Sequence, residues 1–172
     1  AVGISFAVSA DARAADLLSY EAVYALRLTH ASSSGGPRAA TGTFESRFVE
    51  TCDGWDTKSH TLINLAFSDG ASFRNERYFS SLEAKTGQAY SFAALTLKNG
   101  KTVEAYKGTA ELTKRGGRAR YELPAPEGQK NGKVILLALP QGTLFPTAHS
   151  NALLGSAEKG TPLFRRVVLS GS

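Results

Sequence analysis

Apolar and polar residues alternate along most of this chain, and period-two alternation marks a strand with one buried face. From Leu18 onward, "SYEAVYALRLTH" sets Tyr20, Ala22, Tyr24, Leu26 and Leu28 on one side and Glu21, Arg27 and Thr29 on the other. "TGTFESRFVET" alternates less cleanly around Phe44 and Phe48. "WDTKSHTLINLAF" runs Trp55, Thr57, Ser59, Thr61, Ile63, Leu65 and Phe67 along one face, opposite Asp56, Lys58, His60 and Asn64. "ASFRNERYFSSL" sets Phe73, Asn75, Arg77 and Phe79 against Arg74, Glu76 and Tyr78. Strand patterns continue in "AYSFAALTL", "TVEAYKGTAEL" and "RYELPAP". "VILLALP" is a continuous apolar run and predicts a buried strand.

Turn chemistry separates these runs. "ASSSGGPR", "CDG", "SDG", "AKTGQ", "KRGGRA" and the polar loop "EGQKNGK" all interrupt the alternation. "KNGK" at 98–101 is the strongest hairpin signal, because Asn-Gly suits the type I′ turn whose twist matches paired strands. After Pro146 the period changes. Ala148, Ala152, Leu153 and Ala157 share a helical face, which predicts one short helix near 147–159. Thr147 is its expected N-cap, and Gly160 and Pro162 are its expected stop. "LFRRVVL" then resumes as a strand. The predicted class is therefore mainly β: a long antiparallel meander, with strands and polar outer faces that favour one curled sheet or open barrel over a compact sandwich.

Composition narrows the function. The 172 residues are 42% apolar and 20% charged, enough for one sizeable core. The net charge is +5, with Lys and Arg scattered among Asp and Glu, and the densest basic stretch, "KRGGRAR", centres on turn glycines. Nucleic-acid binding needs clustered cations, so it is set aside. The opening run Ala1–Ala10 is too short to span a bilayer, and Ala12-Arg13-Ala14 has the small-x-small form of an export cleavage site. Residues 1–14 are therefore expected to be the remnant of a signal peptide truncated at its start. Residues 15–172 then form the N-terminal part of a single domain. Cys52 is the one cysteine; in an exported chain it awaits a partner, or sits buried as a small hydrophobe.

Candidate chemistry is sparse. His30, His60 and His149 have no metal-ligand spacing, and one cysteine cannot build a zinc site. There is no nucleophile elbow, phosphate loop or H-E-x-x-H. A Cys52–His60 nucleophile and base pair is not demanded by spacing. Glu45 with Glu50, and Asp53 with Asp56, flank turns where carboxylates are solvated. No catalytic residue, metal or cofactor is expected. "LPQGTLFPTAH" at 139–149 has two readings, an active-site loop using Thr143, Thr147 and His149, or a structural corner. The corner is favoured: Pro140 ends a strand, Gly142 permits the turn, Phe145 pins it, and Pro146 with Thr147 launches the helix. His149, in the first helical turn, is expected neutral and hydrogen-bonded. The aromatics Tyr20, Tyr24, Trp55, Phe67 and Phe73 are either core or the lining of a groove on the concave sheet face.

The order "LLSYEAVYALRL", "TGTFESRFVETCDGW", "SFRNERYF" and "LPQGTLFPTAHSNALL" resembles the EipB-like family, the envelope integrity proteins B. The "LPxGTxFPTxH" and "CxGW" elements carry most of the resemblance, which runs from about Leu17 to the end. It implies a periplasmic, non-enzymatic protein that supports cell-envelope integrity, with the sheet wound into a spiral-like open barrel. It also implies that Cys52 forms a disulfide with a cysteine beyond Ser172, and that this chain lacks the C-terminal third. One departure is Leu169-Ser170-Gly171, where the family reads Phe-Asp-Gly. The expected partner is an envelope protein or a cell-wall or lipid component. The alternative is a carrier of an apolar, lipid-like ligand on the concave face, and a hydrolase using His149 comes last.

Overall fold

The computed structural model describes residues 17–31, 36–125, 132–160 and 163–171. The expected signal remnant at 1–14 lies outside them. Eight strands and one helix follow in chain order: β1 Tyr20–Arg27, β2 Pro37–Glu50, β3 Gly54–Phe67, β4 Ser72–Ala84, β5 Ala89–Lys98, β6 Lys101–Thr113, β7 Gly116–Leu123, β8 Lys133–Leu139 and α1 Pro146–Glu158. All eight strands form one sheet in sequence order, and each neighbouring pair is antiparallel. The meander is an open sheet with β1 and β8 at its edges. Asn99 and Gly100, with φ of 50° and 75°, make the tight β5–β6 turn that Asn-Gly predicts.

The register defines two faces. One rung carries Tyr20, Phe48, Thr57, Ser81, Phe92, Gly108, Tyr121 and Ile135 across all eight strands. The adjacent rung, pointing the other way, carries Glu21, Arg47, Lys58, Ser80, Ala93, Lys107, Glu122 and Val134. The first is the packed face, because the chain after β8 folds back over it. Phe145, fully buried, stacks on Tyr90 with ring centroids 5.1 Å apart. The Tyr90 hydroxyl donates to the Ser170 carbonyl at 2.8 Å. Phe92 lies over Gly108 on the neighbouring strand, and Gly171 closes on the same ring. A side chain at Gly108 would strike that ring, so the aromatic occupies the space that the glycine leaves. Tyr90, Phe92, Ala110, Ala119, Leu139, Phe145 and Leu169 form this core.

Two expected strands need correction. "VILLALP" does form β8, but Val134, Ile135, Leu136 and Leu137 are 41–70% exposed and only Leu139 is buried. The strand lies at the sheet edge, and among the described residues only its Leu139 end is covered, by the core around Phe145 and Leu169. "LFRRVVL" makes no strand of the sheet. Its backbone meets Leu144 in one parallel bridge with Val168, through Leu144 N–H to the Val167 carbonyl and Leu169 N–H to the Leu144 carbonyl. The reason is packing: Phe145 and Leu169 enter the same core, so their backbones run side by side above the sheet.

Candidate functional site

The corner at 139–149 is built around a carboxylate supplied by the sheet. Glu83, near the end of β4 on the packed face, is 3% exposed. Its two oxygens accept the backbone N–H of Thr147 at 2.7 Å and of Ala148 at 2.8 Å. These amides are first-turn donors with no partner inside the helix, and a negative charge suits the positive end of the helix dipole. The expectation that Thr147 is the N-cap is therefore corrected. Phe145 holds the cap position, Pro146 opens the helix, and Thr147 sits in the first turn. Proline at that position limits where the helix can begin, and Glu83 supplies the acceptor that a capping hydroxyl would have given.

The other corner residues have structural partners. Thr143 donates its hydroxyl to the Pro140 carbonyl at 2.8 Å, with its amide on the same oxygen at 3.3 Å. Gly142, at φ of 79°, completes that turn. The His149 ring packs on Phe164, with centroids 5.6 Å apart. A nucleophile needs a free hydroxyl beside an oriented base, and the Thr143 hydroxyl is committed to closing the turn.

The opposite face of the sheet holds an open trough of about 650 Å³ across β1 to β5. Val23, Tyr78, Ala93 and Leu95 give it apolar walls, and Arg47 and His60 give it polar ones. Arg47 donates to Glu21 at 2.8 Å and to Asp56 at 2.8 Å. His60 lies between two carboxylates, Nδ1 at 3.7 Å from Glu45 and Nε2 at 3.8 Å from Glu76. Its ring stacks almost parallel on Tyr78 at 4.3 Å, and its buried Nε2 has no hydrogen-bond partner. Hydrogen bonds from Arg74 and Tyr78 hold the Glu76 carboxyl below its ordinary range, and the same Glu76 contact raises the Tyr78 hydroxyl. A second trough of about 400 Å³ adjoins the first, sharing Lys58, Ser80 and Ala93 and reaching Lys107 and Glu122.

Tyr20, Tyr24, Trp55, Phe67 and Phe73 do share one face, yet none of them lines either trough. They stack on the packed face instead: Tyr20 on Phe48, Phe48 on Trp55 at 5.0 Å, Tyr24 on Phe44, and Phe67 edge-on to Phe73. Strand alternation forces this outcome, because residues one step apart face opposite ways. The trough residues Lys58, His60 and Tyr78 belong to the sides read from sequence as the polar outer ones, and the register adds Arg47 to them. The available signal was charge shared between neighbouring strands, Glu21 opposite Arg47 and Asp56 diagonal to it.

Cys52 is exposed in the β2–β3 turn. Thr51 fixes that turn, donating its hydroxyl to the Gly54 carbonyl and accepting the Gly54 amide. Among the described residues no three His, Cys, Asp or Glu side chains converge on a metal position. Among them, too, no helix is long and apolar enough to cross a membrane.

Comparison with known proteins adds the following. The model of the EipB-like family matches residues 11–172. The cell envelope integrity protein EipB of Brucella abortus is 26% identical over 171 residues, which is 99% of this chain and 58% of that protein. The chain thus spans less than two thirds of this relative's length. The crystal structure of a β-barrel-like protein of a domain of unknown function, also from Brucella abortus, matches with a TM-score of 0.76 at 23% identity, over 92% of this chain and 63% of that one. At that identity the likeness speaks for the fold.

Proposed function

The chain belongs to the EipB-like family, and on that premise we propose that it is a non-enzymatic periplasmic protein that supports cell-envelope integrity by holding an envelope component or partner protein. Its relative's name, cell envelope integrity protein, supports the envelope setting. Export by the segment at 1–14 belongs to the same reading. The observation that carries the binding role is the trough on the open face, large enough for a small ligand and polar enough to orient one. The corner residues Thr143, Thr147 and His149 contribute architecture. The disulfide implied by the family resemblance fits the exposure of Cys52, whose sulfur is accessible to a partner. Non-reducing peptide mapping of the full-length periplasmic protein would show Cys52 bridged, and a free thiol there would remove the disulfide from this reading.

The apolar walls Val23, Ala93 and Leu95 favour a second, narrower reading, in which the bound component is itself lipid-like. Native mass spectrometry of protein recovered from the periplasm tests both. The wild type is expected to carry a bound component, and Ala93→Trp, which fills the trough, to lose it while melting at an unchanged temperature. A lipid mass supports the narrower reading and a glycan or peptide mass supports the broader one. If Ala93→Trp folds and fully restores envelope integrity in a deletion strain, the trough is not the working site.

A further inference from the structure

A separate surface lies at the C-terminal side of the corner, remote from the trough. The outer side of α1 and the extended segment at 163–167 enclose a notch of about 560 Å³. Small helix residues, Ala152 and Gly155, and the apolar Leu163 and Phe164 form its walls, and Lys159 and Arg166 stand at its rim. The Arg166 guanidinium lies 5.1 Å from the Phe164 ring, an arrangement that keeps a cation beside apolar surface. Next to the notch, Leu163 and Val167 are 74% and 53% exposed, with Arg165 exposed between them. Between Pro146 and Leu169 the chain carries Lys159, Arg165 and Arg166 against the single carboxylate Glu158.

Exposed aliphatic side chains gain by leaving water, while the cations interleaved with them are well solvated and are free to meet anions. At an anionic bilayer surface both halves are satisfied, the aliphatics entering the headgroup boundary while the cations meet phosphates. A protein partner would need an acidic surface shaped to the notch. A bilayer needs only charge and depth, and the protruding Leu163 and Val167 supply depth. We propose that α1 and residues 163–167 form a docking surface for anionic phospholipid membrane, with Leu163 and Val167 entering the interface and Lys159, Arg165 and Arg166 engaging lipid phosphates. The role is independent of what the trough holds.

Flotation of the full-length protein with vesicles tests it, using phosphatidylglycerol and phosphatidylcholine in equal parts against phosphatidylcholine alone. The chain is expected to float with the anionic vesicles and to be released by salt. The double variant Arg165→Gln/Arg166→Gln should bind on the order of thirtyfold more weakly, since each cation near such a surface contributes about a fivefold change. Leu163→Asp should release the chain even at low salt. The control Arg38→Gln/Lys101→Gln removes two exposed cations at the far end of the sheet and should bind like the wild type. Equal loss in the control would reduce the effect to net charge and overturn the proposal. So would flotation with neutral vesicles alone, no flotation at all, or a dimer on gel filtration that Leu163→Asp dissolves. Circular dichroism checks folding in every case, and Leu163, so exposed, tolerates substitution.

Discussion

Removing the Glu83 carboxylate should be among the most destabilising single changes in the chain. The side chain is 3% exposed and accepts two helix amides at 2.7 and 2.8 Å. A hydrogen bond to a charged group contributes about 1.5–3 kcal/mol, and an orphaned buried donor costs a similar amount. Glu83→Ala deletes both acceptors at once and leaves two amides facing an apolar space, for a loss of about 3–5 kcal/mol. Glu83→Gln keeps the volume and one carbonyl oxygen but turns an NH₂ toward the second amide, and should cost about 2 kcal/mol. Thr147→Val gives the contrast. Were Thr147 the cap, its hydroxyl would be worth about 1–2 kcal/mol. With Glu83 as the acceptor, the change should cost less than about 1 kcal/mol.

Urea unfolding followed by circular dichroism measures all three variants. Trp55, the single tryptophan and the direct cross-strand partner of Glu83, gives a second, local signal. The expected order of cost is Glu83→Ala, then Glu83→Gln, then Thr147→Val. A Glu83→Ala variant within about 1 kcal/mol of wild type, or a Thr147→Val variant costlier than either, would refute the reasoning. The helix would then be held by its own first turn and by the Phe145 anchor alone.

Three further changes probe other parts of the fold. Gly108→Ala drives a methyl into the Phe92 ring and the Arg120 carbonyl, an overpacking expected to cost about 1–3 kcal/mol; an unchanged thermal midpoint would show that Phe92 has room to move. Burial pushes the Tyr90 hydroxyl up from 10.0 to about 12, so the folded state holds this proton longer than the unfolded chain does. Stability from this group is intact below pH 10 and falls between 10 and 12, by at most about 3 kcal/mol. Tyr90→Phe should flatten that alkaline loss in pH-dependent urea titrations, and an unaltered slope would assign the loss to other groups. Leu136→Lys places a charge on an edge-strand position that is 70% exposed. It should leave the urea midpoint within about 0.5 kcal/mol and lower any self-association seen by light scattering, because an apolar strand edge invites pairing.

The strands and their turns were legible because their causes are local. Alternation in Tyr20–Leu26 and Trp55–Phe67 reports two faces, and Asn99-Gly100 supplies the backbone twist its hairpin requires. The helix was legible for the same reason, and its start at Pro146 is one residue from the expected position. The cap was not, because Glu83 lies 64 residues from Thr147, and no pattern near either residue ties a strand carboxylate to a distant helix end.

The sequence likewise reports that a strand has two faces without reporting which of them is covered. The aromatic side of β1 to β4 stacks into its own ladder, while the chain after β8 closes over the same face at β5 to β7. That leaves the charged side open, with a trough across β1 to β5. Apolar patterning is a statement about transfer out of water, and it cannot say whether a neighbour is present to receive the transferred surface. The continuous run of β8 makes the point: it is as apolar as a buried strand and is exposed at the edge. The polar face was dismissed by the same inference run backwards. Glu21, Arg47 and Asp56 pair with one another across three strands while still partly exposed, and the trough lies along this face. Charge on a strand is therefore compatible with a face that walls a trough as well as with a plainly solvated one, once its partners stand on neighbouring strands.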